Sequence, residues 1–450
     1  MTKSHSLKRT LTLFPVVIFG LAYMAPMTVF TTYGVAAESS NGMIPAAYLA
    51  ALITMLFTAY SYGLMVKAYP VAGSAYTYAQ KTINPHVGFL VGWAILMDYL
   101  FLPMINVLVA GIYFQAAIPE VPLWIWMVLF IGAITIINIL GIKVTTRVNS
   151  ILITYQFLVI AIFIILSLRG LANGMGTGTF TSALPFYNPE VSFSLVLAGA
   201  SILCLSFLGF DSVTILSEET IEPEKTIPKA VFLVALIGGG LFILVSYVSY
   251  LVYPDFTAFT NADSAAFEIA AYIGGNLFSS LFASGMIVLC FASGLSSHAS
   301  VSRLLYAMGR DSVIPKKIFG YIHPKFNTPV YNILLVSLFA LSALVVDLVT
   351  AASFINFGAL VAFTFVNLSV IAYYFLRNNK RSPKETILYL IIPLIGASFN
   401  LWLWSNLDKN SMLLGGIWAT CGLIYLLFLT KMFTRRPPEL NFEIDQKPSA

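Results

Sequence analysis

GLAYMAPMTVF, Gly20 to Phe30, and SFLGFDS, Ser206 to Ser212, are the two stretches that decide the fold. Each interrupts a long apolar run. In the first, Pro26 has no amide hydrogen and its ring clashes with the preceding turn, so a regular helix cannot continue through it. In the second, Gly209 sits two residues before an acid, Asp211. Inside a bilayer, backbone groups freed by such breaks must be satisfied by the protein, by water or by cargo. Breaks at corresponding places in two halves of a chain point to a midplane binding site of a transporter. Taken alone, Pro26 also reads as an ordinary kink; its pairing with Gly209 favours an unwound, functional segment.

Outward from these breaks the chain is almost entirely apolar. Hydrophobic residues make up 59% of its 450 residues, charged residues 10%, and the mean hydropathy is +0.87. A soluble domain carries about 25% charged residues. The chain lacks the charge to coat soluble domains, which excludes a soluble enzyme, a nucleic-acid binder and a disordered protein. With about 20 apolar residues per crossing, twelve spans follow, at about 13–36, 43–66, 87–117, 123–140, 149–168, 192–216, 228–252, 273–302, 330–347, 351–376, 387–404 and 411–433. The breaks fall in spans 1 and 6. That spacing predicts a 5+5 inverted repeat with spans 11 and 12 appended.

Lysine and arginine test this layout. If the N-terminus is cytoplasmic and the spans alternate, all of the 24 Lys and Arg except Arg169 and Lys409 fall on the inner side. The positive-inside rule therefore predicts twelve spans with both termini cytoplasmic. The net charge of +5 is a topology signal. Span 1 follows Lys3, Lys8 and Arg9, is too long for a signal-peptide core, and is read as a retained helix. The expected organisation is a cytoplasmic segment over 1–12, a transporter body over 13–433 and a cytoplasmic tail over 434–450. Within the body, helices 1–5 occupy about 13–168, helices 6–10 about 192–376 and helices 11–12 about 387–433.

No P-loop, HExxH, CxxC or GxSxG is present, and the connecting loops are too short for a catalytic domain. The expectation is a secondary transporter, not an enzyme, with no cofactor or metal. Cys204, Cys290 and Cys421 lie in apolar runs and read as small buried hydrophobes.

Asp98 in span 3 (GWAILMDYLFLP) and Asp211 in span 6 are the sharpest single features. An acid at a span centre costs on the order of 2.5–3.5 kcal/mol on insertion scales. No Lys or Arg lies in the interior of a predicted span to pair with them. Such a carboxylate calls for a proton, a cationic substrate or an inorganic cation; the alternative is satisfaction by Tyr, Ser or backbone donors. His298, late in span 8, either titrates near neutral pH and takes part in coupling or is a hydrogen-bonded packing residue. Ser296 and Ser297 beside it either ligate sodium or pack helices closely. Tyr23, Tyr99, Phe207 and Phe210 lie beside the breaks and acids, where aromatic faces can hold a cation or simply pack.

Three longer motifs carry a family resemblance. SEETIEPEKTIPKA (Ser217 to Ala230) resembles the EE-x-x-x-P-x-K-x-I-P-x-A motif of the amino acid–polyamine–organocation (APC) superfamily. SRLLYAMGRDSVIPKKIFGYIHPKFNTPV (Ser302 to Val330) and AGSAYTYAQKTINPHVGFLVGW (Ala72 to Trp93) are similar to two further motifs of that superfamily, in the same order. Within it, GLAYMAPMTVF, LMDYLFLPMINVL and SFLGFDSVTILSEET look like the corresponding stretches of bacterial proton-coupled putrescine importers. The resemblance implies a LeuT-like fold and a substrate pocket between spans 1, 3, 6 and 8. It implies Asp98 as the main ammonium ligand and Asp211 as second ligand or proton carrier, with Tyr23, Tyr99, Phe207 and Phe210 shaping the pocket. Glu218 and Glu219, at the inner end of span 6, match part of the cytoplasmic gate.

Three departures from the superfamily bear on mechanism. The place of the Gly-Ser-Gly-like break, whose amides hold an amino acid carboxylate in relatives, reads GLAYMAP here. A polyamine has no carboxylate to hold. The place of a span 6 Trp used by some exchangers is Leu205, and span 5 carries Gln156 but no Lys. The expected function is import of a polyamine, foremost putrescine, by proton symport, with the bilayer as surroundings and no nucleic-acid partner. The alternatives are a cationic or neutral amino acid transporter of the same superfamily, and a transporter-like amine sensor.

Overall fold

A computed structural model describes residues 9–435, apart from 261, 263, 264, 346, 347, 406 and 408, together with 437. Among the described residues the chain is helical, with no strand beyond one isolated bridge between Leu11 and Thr220. Ten helices are long and apolar enough to cross a membrane, and two shorter apolar helices, Leu123–Ile139 and Val330–Leu344, take the fourth and ninth places. The twelve-span reading therefore stands.

Span 1 is Leu13–Met24, resuming after the break as Thr28–Thr31 and Tyr33–Ser39. Spans 2 to 5 are Ile44–Ala68, Pro85–Ala117, Leu123–Ile139 and Ile142–Ala172. Span 6 is Phe193–Leu203, tightening to a 3-10 turn over Cys204–Phe207 and resuming as Ser212–Glu219. Spans 7 and 8 are Pro223–Val252 and Ala265–Arg310, the latter kinked at Gly275. Spans 9 to 12 centre on Val330–Ala340, Leu348–Val370, Ile392–Ser405 and Lys409–Leu429.

The repeat predicted from the breaks is visible in the packing. Spans 1 and 6 are both interrupted, and spans 4 and 9, also five apart, are both short. Span 5 packs on span 8 as span 10 packs on span 3, and span 1 packs on span 7 as span 6 packs on span 2. The broken spans lie at the centre and the last two at the edge. In its most apolar stretch span 1 is 78% buried, span 12 only 17%. Exposed Phe14, Ile151, Leu338 and Phe428 form part of the lipid-facing surface.

Two readings need correction. Hydropathy ended span 8 before Arg303, yet the helix runs on to Arg310 and buries Arg303 completely. A charged residue is tolerated there because Glu219 meets it. The segment after span 2 contains the helix Ser74–Thr82, entered through Gly73 at φ +119°. Cys421 is exposed on the outside of span 12 and not buried like Cys204 and Cys290.

Candidate functional site

The two breaks meet. Ala25 (φ 53°, ψ 109°) leaves the helix at the end of Leu13–Met24, and Gly209 (φ +106°) turns the chain in span 6. A Cβ on Gly209 would lie 2.0 Å from Cδ1 of Tyr23. Only glycine allows both that backbone angle and the seating of the Tyr23 ring on the opposite break. Gly209→Ala is expected to cost about 2–6 kcal/mol, combining strained backbone with overpacking. Lost monodispersity or a lowered melting temperature in detergent, together with lost uptake, would show it; a variant as stable and active as the parent would refute this reading of the contact.

Most of the backbone freed at the span 1 break finds partners within the protein. The Met27 amide donates to Oε1 of Gln156 in span 5 at 3.4 Å. The Tyr23 carbonyl accepts from Ser293 Oγ at 3.0 Å, and Ser293 in turn accepts from Asn106 Nδ2 at 3.2 Å. The Ala25 and Thr28 amides donate to the Leu21 and Ala25 carbonyls, both at 2.9 Å. Pro26 has no amide. The break is held open by side chains from spans 3, 5 and 8.

Asp211 lies two residues after Gly209, just before the resumed half of span 6. Its Oδ2 accepts from Tyr99 at 2.9 Å and from Tyr62 at 3.3 Å. Asp98 lies close enough for the two carboxylates to act on each other, and both act on Tyr23. Gly358 of span 10 seats Asp98: a Cβ there would meet the Ala94 carbonyl oxygen at 2.4 Å and the Asp98 nitrogen at 3.0 Å. Unlike Asp211, Asp98 keeps Oδ1 buried without a hydrogen-bond partner, and the buried Tyr23 hydroxyl has none either. Among the described residues no Lys or Arg pairs with either acid. This is an acidic, incompletely satisfied site, of a kind that a cation with N–H donors would complete.

A cavity of about 570 Å³ lies on the outer side of the break. Tyr23, Leu205 and Leu208 form its inner end, Asn106, Ser293 and Thr28 give uncharged polar walls, and Tyr113 and Phe267 stand towards the outside. Tyr23 lines the cavity, whereas Asp98 and Asp211 are not among its lining residues.

The basic side below is packed shut. Glu219 receives a forked pair of bonds from Arg303, through Nε and through Nη2, the latter at 3.1 Å; Arg303 Nη1 also donates to the Ala299 carbonyl at 3.0 Å. Glu218 pairs with Arg310 and accepts from the Ala72 amide at 3.1 Å. Asp311 accepts from Tyr76 at 3.1 Å. Burial pushes the Asp311 carboxyl above its ordinary range, and Arg310 opposes that. The N-terminal segment straps this cluster: the Thr10 and Leu11 amides donate to the Glu219 carbonyl at 2.8 and 2.9 Å.

The structure thus brings Asp98, Asp211, Tyr23 and Tyr99 together, with Phe210 beside them against Tyr62. Phe207 packs instead on Tyr48 and Phe242, outside the cavity. His298 uses both ring nitrogens on other helices, Nδ1 with Asn138 at 3.2 Å and Nε2 with Ser337 at 2.9 Å, and touches neither acid. Ser296 accepts from Asn149, and Ser297 bonds to its own helix. Sequence reasoning missed Tyr62, Asn106, Ser293, Leu208 and the arginine partners of the two glutamates. For Asn106 and Tyr62, a polar group inside an apolar run was the available signal.

Residues 15–408 match the family model of the amino acid permeases. The low-affinity putrescine importer PlaP of Escherichia coli K12 is 48% identical over 441 residues, covering 97% of both chains. The methylthioribose transporter of Bacillus subtilis is 27% identical, covering 96% of this chain and 95% of that one. Mouse cationic amino acid transporter 4 is 28% identical, covering 85% of this chain and 62% of its own. Broken spans meeting over buried acids, in a chain matched across most of its length, are accounted for together: the chain belongs to the amino acid permease family and is a membrane transporter.

Proposed function

We propose that this transporter imports putrescine across the bacterial cytoplasmic membrane by alternating access, coupled to protons. The observation that carries the reading is the pair of buried acids, Asp98 with an unpartnered oxygen and Asp211 held by two tyrosines, with no basic partner among the described residues. A diammonium chain neutralises two carboxylates at once, and its methylenes suit the apolar end made by Leu205 and Leu208. The likeness to a putrescine importer over 97% of both chains supports the same substrate.

An amino acid would need an anion cradle at the span 1 break. Ala25, Met27 and Thr28 already donate their amides within the protein, and Pro26 has none. This argues against the amino acid rival. Entry from outside then requires Tyr23 to swing off Gly209, after which the acids take the ammonium groups. Glu218 and Glu219, with Arg310 and Arg303, act as the inner gate that opens for release. Direction follows from charge: at 100 mV, inside negative, a dication gains roughly 4.6 kcal/mol, at about 2.3 per charge. Once the dication leaves, a proton is the smallest cation that keeps one carboxyl from remaining an uncompensated buried charge. Asp211, bonded to Tyr62 and Tyr99, is the assigned carrier.

Uptake of radiolabelled putrescine into proteoliposomes tests this. Accumulation should rise with an inward proton gradient at zero membrane potential, and excess diamine, not amino acids, should block it. Amino acid accumulation without putrescine uptake would move the protein to the other branch of its family.

A further inference from the structure

Spans 2 and 7 cross closely near their basic ends and leave a groove of about 640 Å³ open to the surroundings. Its floor is apolar. Gly63 of span 2 faces Pro228 of span 7, with room for only 3.4 Å between a Cβ and the proline ring, and Leu64 and Phe232 extend the floor towards the membrane. Phe232 is 43% exposed there. The rim is basic: Lys67 closes span 2, and Lys225 and Lys229 stand on the first turns of span 7. Lys225 is shared with Glu222 at 3.4 Å, and Glu224 is the one carboxylate on the rim. Lys67 and Lys229 are exposed and have no carboxylate partner among the described residues.

We propose that this groove binds an anionic phospholipid of the cytoplasmic leaflet, its phosphate between Lys67 and Lys229 and an acyl chain along Gly63, Leu64 and Phe232. Charge and position both select that occupant. The lysines lie at the inner end of their helices, where the headgroups of the cytoplasmic leaflet sit, and basic recesses between spans on that side recognise acidic headgroups. The apolar floor continues into the depth of the acyl chains, so one molecule satisfies rim and floor together. A soluble anion would use only the rim.

Native mass spectrometry of the full-length protein, offered equal amounts of phosphatidylglycerol and phosphatidylcholine, tests the proposal. The parent should retain phosphatidylglycerol preferentially. Lys67→Gln/Lys229→Gln should lower the retained ratio on the order of twenty-five-fold, from about fivefold per lysine near an acidic headgroup. Lys67→Arg/Lys229→Arg should keep the ratio, which separates loss of charge from misfolding. No preference in the parent, an unchanged ratio in the Gln variant, or displacement of the lipid by millimolar inorganic phosphate would overturn the proposal.

Discussion

Asp98→Asn is expected to abolish putrescine uptake while leaving the protein inserted and folded. Asn keeps the size of the side chain and removes the charge. Among the described residues Asp98 Oδ1 is buried without a hydrogen-bond partner, so removing the charge breaks no bond at that atom. Gly358 packs on its backbone, which the substitution leaves in place. The substrate does depend on the charge: deleting one partner of a buried, hydrogen-bonded charge pair costs about 2–5 kcal/mol. At 1.4 kcal/mol per tenfold, that is a loss in affinity from roughly thirtyfold to several thousandfold. The measurement is putrescine binding and uptake in proteoliposomes, with the melting temperature in detergent as the control. Near-normal uptake would remove Asp98 as the ammonium ligand. Asp211→Asn makes an informative contrast, because Asp211 is bonded to Tyr62 and Tyr99. If it carries the proton, that variant should keep more binding than Asp98→Asn and lose the response to a proton gradient.

Much of this site was legible in the sequence because bilayer physics makes its signals loud. Pro26 and Gly209 stand out in apolar runs, and an acid such as Asp98 has no reason to be in a span unless something meets it there. The inner placement of 22 of the 24 lysines and arginines then supported twelve spans. What escaped was set by pairing across long separations. Gln156 and Ser293 satisfy the span 1 break from 129 and 270 residues away. Phe207, expected to shape the pocket, packs on Tyr48 and Phe242. The helix tightens to 3-10 winding over Cys204–Phe207 and then breaks, and Leu205 and Leu208 line the cavity. Arg303 escaped because hydropathy treats any charge as the end of a span, and only Glu219, 84 residues away, makes its burial tolerable.

That pair supplies the second large effect. Arg303 is 1% exposed and Glu219 3%. Arg303→Met leaves the Glu219 carboxylate buried without its partner, at a cost of about 3–5 kcal/mol. A marked drop in the melting temperature of the solubilised protein is expected. Removing the other charge as well, in Glu219→Leu/Arg303→Met, takes away the stranded carboxylate, and apolar replacements of buried pairs are often neutral or stabilising. The double variant should therefore recover at least half of the stability lost by the single one. Uptake should behave differently. The Glu219 carbonyl also holds Thr10 and Leu11, and its neighbour Glu218 holds Arg310 and Ala72, so the pair sits at the knot of the closed inner side. An apolar plug there cannot separate and rejoin as charges do when water enters the inner gate. Uptake in the double variant should stay well below that of the parent although its stability returns. Recovery of both would reduce the pair to a packing element, and recovery of neither would mean that the fold requires those charges. Stability restored with transport still impaired is the outcome that separates a gate from a prop.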